Sequence, residues 1–178
     1  MLEVLDVAPR GDGARVSGLE TMVENLIIAE SRHEAIEEQW FWPAVRKALG
    51  DGDQLADQGI GQEDDGKKLL QTLLDGKPGE ASYDDALEKF VAAAREHIDY
   101  EQQVVWPRFE SAVSRDELER LGQRLEQAHK IAPTRAHPHT PSSSVVQKTM
   151  GVVAATVDRV VDAATGRDKN HPPDPPKP

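Results

Sequence analysis

A histidine, a glutamate four residues later and Trp-Pro five residues after that occur together twice in this chain. His33, Glu37, Trp42 and Pro43 form the first copy, and His97, Glu101, Trp106 and Pro107 repeat it 64 residues on. On a helix, positions i and i+4 share one face. Each copy therefore projects an imidazole beside a carboxylate, and two such pairs on facing helices make a metal site. These nitrogen and oxygen donors suit iron, manganese or zinc. Desolvation strengthens the reading. A carboxylate turned into a bundle is costly unless it is paired or coordinated. Glu37, Glu63 and Glu101 all fall on inward stripes, where without a cation they repel and at least one holds a proton. One or two divalent ions remove that conflict. The competing structural reading keeps the repeat but makes each Trp core, each Pro a kink and each His a boundary residue.

Helical periodicity places these residues. A pattern over 17–49 has Ser17 and Glu20 in capping-box register and an apolar stripe of Leu19, Met22, Val23, Leu26 and Ile27. The same stripe then turns polar at Glu30, His33 and Glu37. Pro43 removes an N–H and crowds the carbonyl one turn back, which predicts a kink near Gln39. After the GDGD turn, a second helix over 54–74 carries Leu55, Ile60, Leu69, Leu70, Leu73 and Leu74, with Glu63 on the face of Leu70. A third over 83–113 carries Leu87, Phe90, Val91 and Ala94, extended by His97 and Glu101. A fourth over 115–131 presents Leu118, Leu121, Leu125 and Ala128. Pro and Ser mark 132–144 as a linker. A further amphipathic helix is expected within 145–166, and 167–178 read as a disordered tail. The bundle itself spans 1–131.

Composition narrows the chemistry. With 21 Lys and Arg against 32 Asp and Glu, the net charge is −11. Such a surface repels nucleic-acid phosphates and anionic membranes, so neither is expected as a partner. The absence of cysteine excludes disulfides, thiolate zinc sites and cysteine-bound iron–sulfur clusters. No apolar run is long enough to span a bilayer, and the N-terminus lacks the pattern of a signal peptide, so a cytoplasmic protein is expected. His129, His137, His139 and His171 lie outside the repeat and read as solvated.

The two repeats resemble the hemerythrin HHE cation-binding domain. In that family the second and fourth helices carry His-x3-Glu followed by an aromatic-Pro pair, matched here by His33, Glu37, Trp42 and Pro43, and by His97, Glu101, Trp106 and Pro107. The resemblance implies an antiparallel four-helix bundle, all-α, around a non-haem di-iron centre, so one or two iron ions are expected. It implies metal ligation by His33, Glu37, Glu63, His97 and Glu101, with Glu34 as an additional carboxylate; Glu30, one turn before His33, is a further candidate by position. Two departures stand out. In QEDDGKKLL, Glu63 occupies the family's third-helix histidine position. No histidine precedes His33, and counting back one repeat from Glu63 falls before Met1. The first helix is therefore expected to be truncated, either because the start codon lies further upstream or because that ligand is absent.

The expected function is O2, peroxide or NO chemistry or sensing at iron, or iron handling. A ligand set poor in His and rich in Glu favours redox or peroxide-decomposing activity over reversible oxygenation. An exposed valine stripe on the C-terminal helix could support a homodimer. The alternative is a degenerate bundle without a full metal site, acting as a structural or interaction module. A zinc hydrolase is a weaker third reading, because bundle-interior carboxylates differ from three-ligand open zinc sites.

Overall fold

A computed structural model describes the backbone of residues 13–130 and 132, and the side chains from residue 18 onward. The described residues form helices and turns with no strand. α1 runs over Gly13–Ile36, a π-helical turn π1 over Glu37–Phe41 and α2 over Trp42–Ala48, as one continuous rod. After a tight turn, α3 spans Gly52–Asp75. The second composite rod follows as α4 (Ala81–Tyr100), π2 (Glu101–Val105) and α5 (Trp106–Ala112). α6, Arg115–His129, returns against α1 and π1. The short connections between rods make neighbours antiparallel, as in a helical bundle. α3 is the hub, packing on α4, α2 and α1.

Each proline sits where the helix changes character. The kink expected near Gln39 is instead a widened turn. Trp42 N–H bonds the carbonyl of Glu37, and Trp106 N–H bonds that of Glu101, both across five residues. Pro43 and Pro107 cannot donate to the carbonyl four residues back, and their rings crowd it. An extra residue in the turn relieves both problems while keeping the rod straight enough to pack. The helix also begins earlier than its capping signal suggested. The backbone is already helical from Gly13, so Ser17 lies inside α1. A capping box does form at α6, where Ser114 accepts from Glu117 N–H and the Glu117 carboxylate accepts from Ser114 N–H.

Packing divides the bundle into three layers. At one end, Leu19, Val23, Leu26 and Ile27 of α1 meet Leu70 and Leu73 of α3 and Leu87, Phe90 and Val91 of α4. At the other, Phe41, Trp42 and Val45 meet Leu55 and Ala56, then Tyr100, Val105 and Phe109. Between these apolar plugs lies a buried polar layer: Glu34, Glu37, Glu38, Glu63, Lys67, His97 and Glu101. Gly59 lets the lower plug close, because a Cβ there would overlap the Trp42 indole. α6 contributes less. Only its Ala128 is fully buried, against Ile36, while Leu125 is partly covered and Arg124 lies over the Trp40 ring at 5.7 Å. The expected truncated first helix, the linker, the C-terminal helix and the tail fall outside the described residues. No described helix is long and apolar enough to cross a membrane.

Candidate metal centre

His33 and Glu37 close α1 and open π1, and His97 and Glu101 stand in the same relation to α4 and π2. Packing brings the two pairs together. One donor atom from each of His33, Glu37, His97 and Glu101 lies within 4.8 Å of every other. His33 Nε2 is 3.2 Å from Glu37 Oε1. His97 Nε2 is 3.8 Å from Glu37 Oε2 and 3.9 Å from Glu101 Oε1. Among the described residues this is the one such convergence of three or more groups. Glu37 stands between the two histidines.

The proton on His97 can be placed by its partner. His97 Nδ1 lies 3.1 Å from Gln62 Oε1 on α3. A carboxamide oxygen only accepts, so Nδ1 donates to it, and in the neutral ring Nε2 is left with a bare lone pair. That lone pair faces two carboxylates. His97 Nε2, Glu37 Oε2 and Glu101 Oε1 are all buried without a hydrogen-bond partner. Three electron-rich atoms turned toward one another in a dry interior call for a cation. The residues present therefore fit a metal ion bound by two imidazoles and two carboxylates, a donor set compatible with iron, manganese or zinc.

Charge strain in the cation-free site points the same way. Burial, then the Glu37 charge, pushes Glu101 up to about 8, with His33 opposing. Glu30 is raised by burial, with His33 opposing. Partial desolvation lowers the His33 imidazolium, but Glu37, Glu30 and Glu101 outweigh it and the net shift is upward. His33 nonetheless keeps 45% of its side-chain surface open, against 11% for His97. The centre is thus sealed at His97 and open at His33.

The other sequence candidates take different positions. Glu63 is buried, but its Oε1 accepts the Trp42 indole N–H, and it stands outside the four-residue convergence. Burial and the charges of Glu37 and Glu38 hold its carboxyl well above the usual range, with the indole bond opposing. Glu34 is buried beside Gly66, on the side of the layer that holds Lys67. Burial holds it well above the usual range too, with Lys67 opposing. Glu30 is half-buried near His33. Sequence reasoning missed Gln62, Glu38 and Lys67. Lys67 lies one turn after Glu63 and three residues before Leu70, on the buried stripe of α3, and that spacing was the available signal. Its ammonium pairs with Glu38 Oε1.

Comparison with known proteins shows the family. A profile of the hemerythrin HHE cation binding domain matches residues 1–109. An uncharacterised hemerythrin-like protein of Schizosaccharomyces pombe is 27% identical over 133 residues, covering 74% of this chain and 66% of that protein. The chain thus spans just under two thirds of that relative's length. No solved structure matches significantly.

Proposed function

The chain belongs to the hemerythrin HHE cation-binding domain family, and on that premise we propose that it is a non-haem iron protein acting on dioxygen, peroxide or nitric oxide, or in iron handling. One observation carries the metal reading. Glu37 Oε2, His97 Nε2 and Glu101 Oε1 are buried, unpartnered and aimed at one another. Iron bound there would supply the redox chemistry that such small molecules require. His33, Glu37, His97 and Glu101 would hold it.

The chain's own residues set the conditions around that ion. Gln62 holds the Nδ1 proton of His97 and so orients Nε2. The Phe41, Trp42 and Val45 plug keeps bulk water out from one end, and Leu26, Ile27 and Phe90 do so from the other. His33, with 45% of its side-chain surface open, is the side from which a small ligand would approach. In the cation-free protein Glu101 retains a proton near neutral pH, so metal uptake releases it. A donor set of two histidines and two carboxylates is rich in negative charge, which stabilises higher-valent iron and favours redox or peroxide chemistry over reversible oxygenation.

Metal analysis with an absorption spectrum, after expression in iron-rich medium, tests the proposal. Bound iron and a near-ultraviolet charge-transfer band are expected, together with peroxide consumption above that of the apoprotein. Protein purified free of metal from iron-rich cells would instead support the structural-module alternative.

A further inference from the structure

We propose that Lys67 is a built-in second cation, its ammonium standing beside Glu34, Glu38 and Glu63 where a second metal ion would sit, so that the centre takes a single ion. This rests on the metal-centre reading above and departs from the two-ion centre that the family resemblance implies.

Five carboxylates are buried in one layer: Glu34, Glu37, Glu38, Glu63 and Glu101. They divide into two groups. Glu37 and Glu101 converge with the two histidines. Glu34, Glu38 and Glu63 instead act electrostatically on Lys67, Glu38 by direct contact. Its Nζ is ion-paired with Glu38 Oε1 and lies 3.1 Å from Asp64 Oδ1. Glu63 stands one helical turn before it on the same buried stripe. Glu34 reaches the backbone immediately before it, since a Cβ on Gly66 would lie 3.3 Å from Glu34 Oε1. Glycine at 66 thus leaves room for the Glu34 carboxyl against α3.

Two features separate this group from a second metal pocket. First, with the ammonium in place, no three of its carboxyl groups converge as the four metal-site residues do, among the described residues. Second, the cation is already present and enclosed: the Lys67 side chain is 8% exposed and that of Glu38 is fully buried. An ammonium has three N–H donors. Glu38 and Asp64 take two, while Glu34 Oε2 and Glu63 Oε2 are buried without a hydrogen-bond partner and act on the ammonium through charge alone. A divalent ion placed among them would meet a fixed positive charge at short range in a low-dielectric interior, where repulsion is strong. The charges on Glu38, Glu34 and Glu63 hold Lys67 protonated against the pull of burial, so that positive charge persists at physiological pH.

The test is a count. Apoprotein is titrated anaerobically with Fe(II) and separately with Mn(II). Bound metal is measured after desalting, and the Mn(II) protein is examined by electron paramagnetic resonance. Wild type is expected to hold one ion per chain with an isolated-ion Mn(II) spectrum. Lys67→Met removes the charge at similar length and is expected to double the count and produce a spin-coupled spectrum, while Lys67→Arg stays at one. Two ions in wild type, or a Lys67→Met protein that stays at one, overturns the proposal. Should Lys67→Met fail to fold, the wild-type count and spectrum decide alone. A count of two leaves the metal-centre reading standing, whereas a count of zero overturns that reading and this one with it.

Discussion

The two copies of the His-x3-Glu-x4-Trp-Pro motif share a backbone and differ in almost everything around it. Both start a π-helical turn at the glutamate and end it at the tryptophan. Yet Trp42 is completely buried and donates to Glu63, whereas Trp106 is 37% exposed and stacks on Phe41. The histidines are reversed, with His97 enclosed and held by Gln62, and His33 half open. The position after the glutamate diverges as well: Glu38 is buried against Lys67, while its counterpart Gln102 faces solvent. The cause is the hub helix. α3 sets Gly59, Glu63 and Lys67 against the first copy and Gln62 against the second. A repeated motif thus specifies how donors leave the backbone. The neighbouring helix decides which donor is sealed, which is open and which is neutralised.

Substitutions at the two tryptophans should separate the copies most strongly. Trp42→Ala removes a fully buried ring and the indole donor on Glu63, and should cost about 3–5 kcal/mol in urea unfolding of the apoprotein. Trp106→Ala should cost about 1 kcal/mol. Gly59→Ala, which drives a methyl into the Trp42 ring, should fall between them at about 1–3 kcal/mol. Equal costs at Trp42 and Trp106 would mean that the copies are not packed differently.

Next come the ligands. His97→Ala should weaken iron binding by at least about 100-fold, or roughly 2.7 kcal/mol, and the half-open His33→Ala by less. Competition against a coloured chelator reads both. Gln62→Ala should weaken binding by about 10- to 100-fold while leaving the metal count unchanged, because it removes an orienting partner and not a ligand. A loss at His33 as large as that at His97 would break the contrast between sealed and open flanks.

The pH dependence of the apoprotein is the smallest effect. Glu101 titrates near 8 in the folded apoprotein against 4.5 when unperturbed. Between those values the native state binds more protons than the unfolded state, so stability is greatest below about 4.5 and declines as pH rises through about 8. The upward shift of His33 acts in the same direction. The apoprotein Tm should fall by about 5 °C or more from pH 5 to pH 8. Saturating metal should remove most of that slope, because ligation requires both carboxylates deprotonated. An apoprotein that gains stability over this interval would contradict the raised carboxyl.

Most of this architecture was legible in the chain, and what was not depended on tertiary neighbours. Leu26, Ile27, Leu70, Leu87 and Phe90 announced the core faces through spacing alone, and the helix ends they imply differ from the observed ones by a few residues. His33, Glu37, His97 and Glu101 were identifiable because a fixed frame recurred. Pro43 and Pro107 predicted a disruption, but a lost N–H does not distinguish a kink from a widened turn. That outcome depends on keeping both rods packed against α3. Lys67 carried only its spacing as a signal, for a different reason. A lysine is normally solvated, and its burial is tolerable only because Glu38 and Glu34 arrive from another helix. Gln62 likewise acquires its role only when α4 places His97 beside it.

The most direct test is an anomalous-difference map at the iron edge from crystals of iron-loaded protein. A single strong peak enclosed by His33, Glu37, His97 and Glu101 is the predicted result. No peak there, or a peak centred among Glu34, Glu38 and Glu63, would contradict the account.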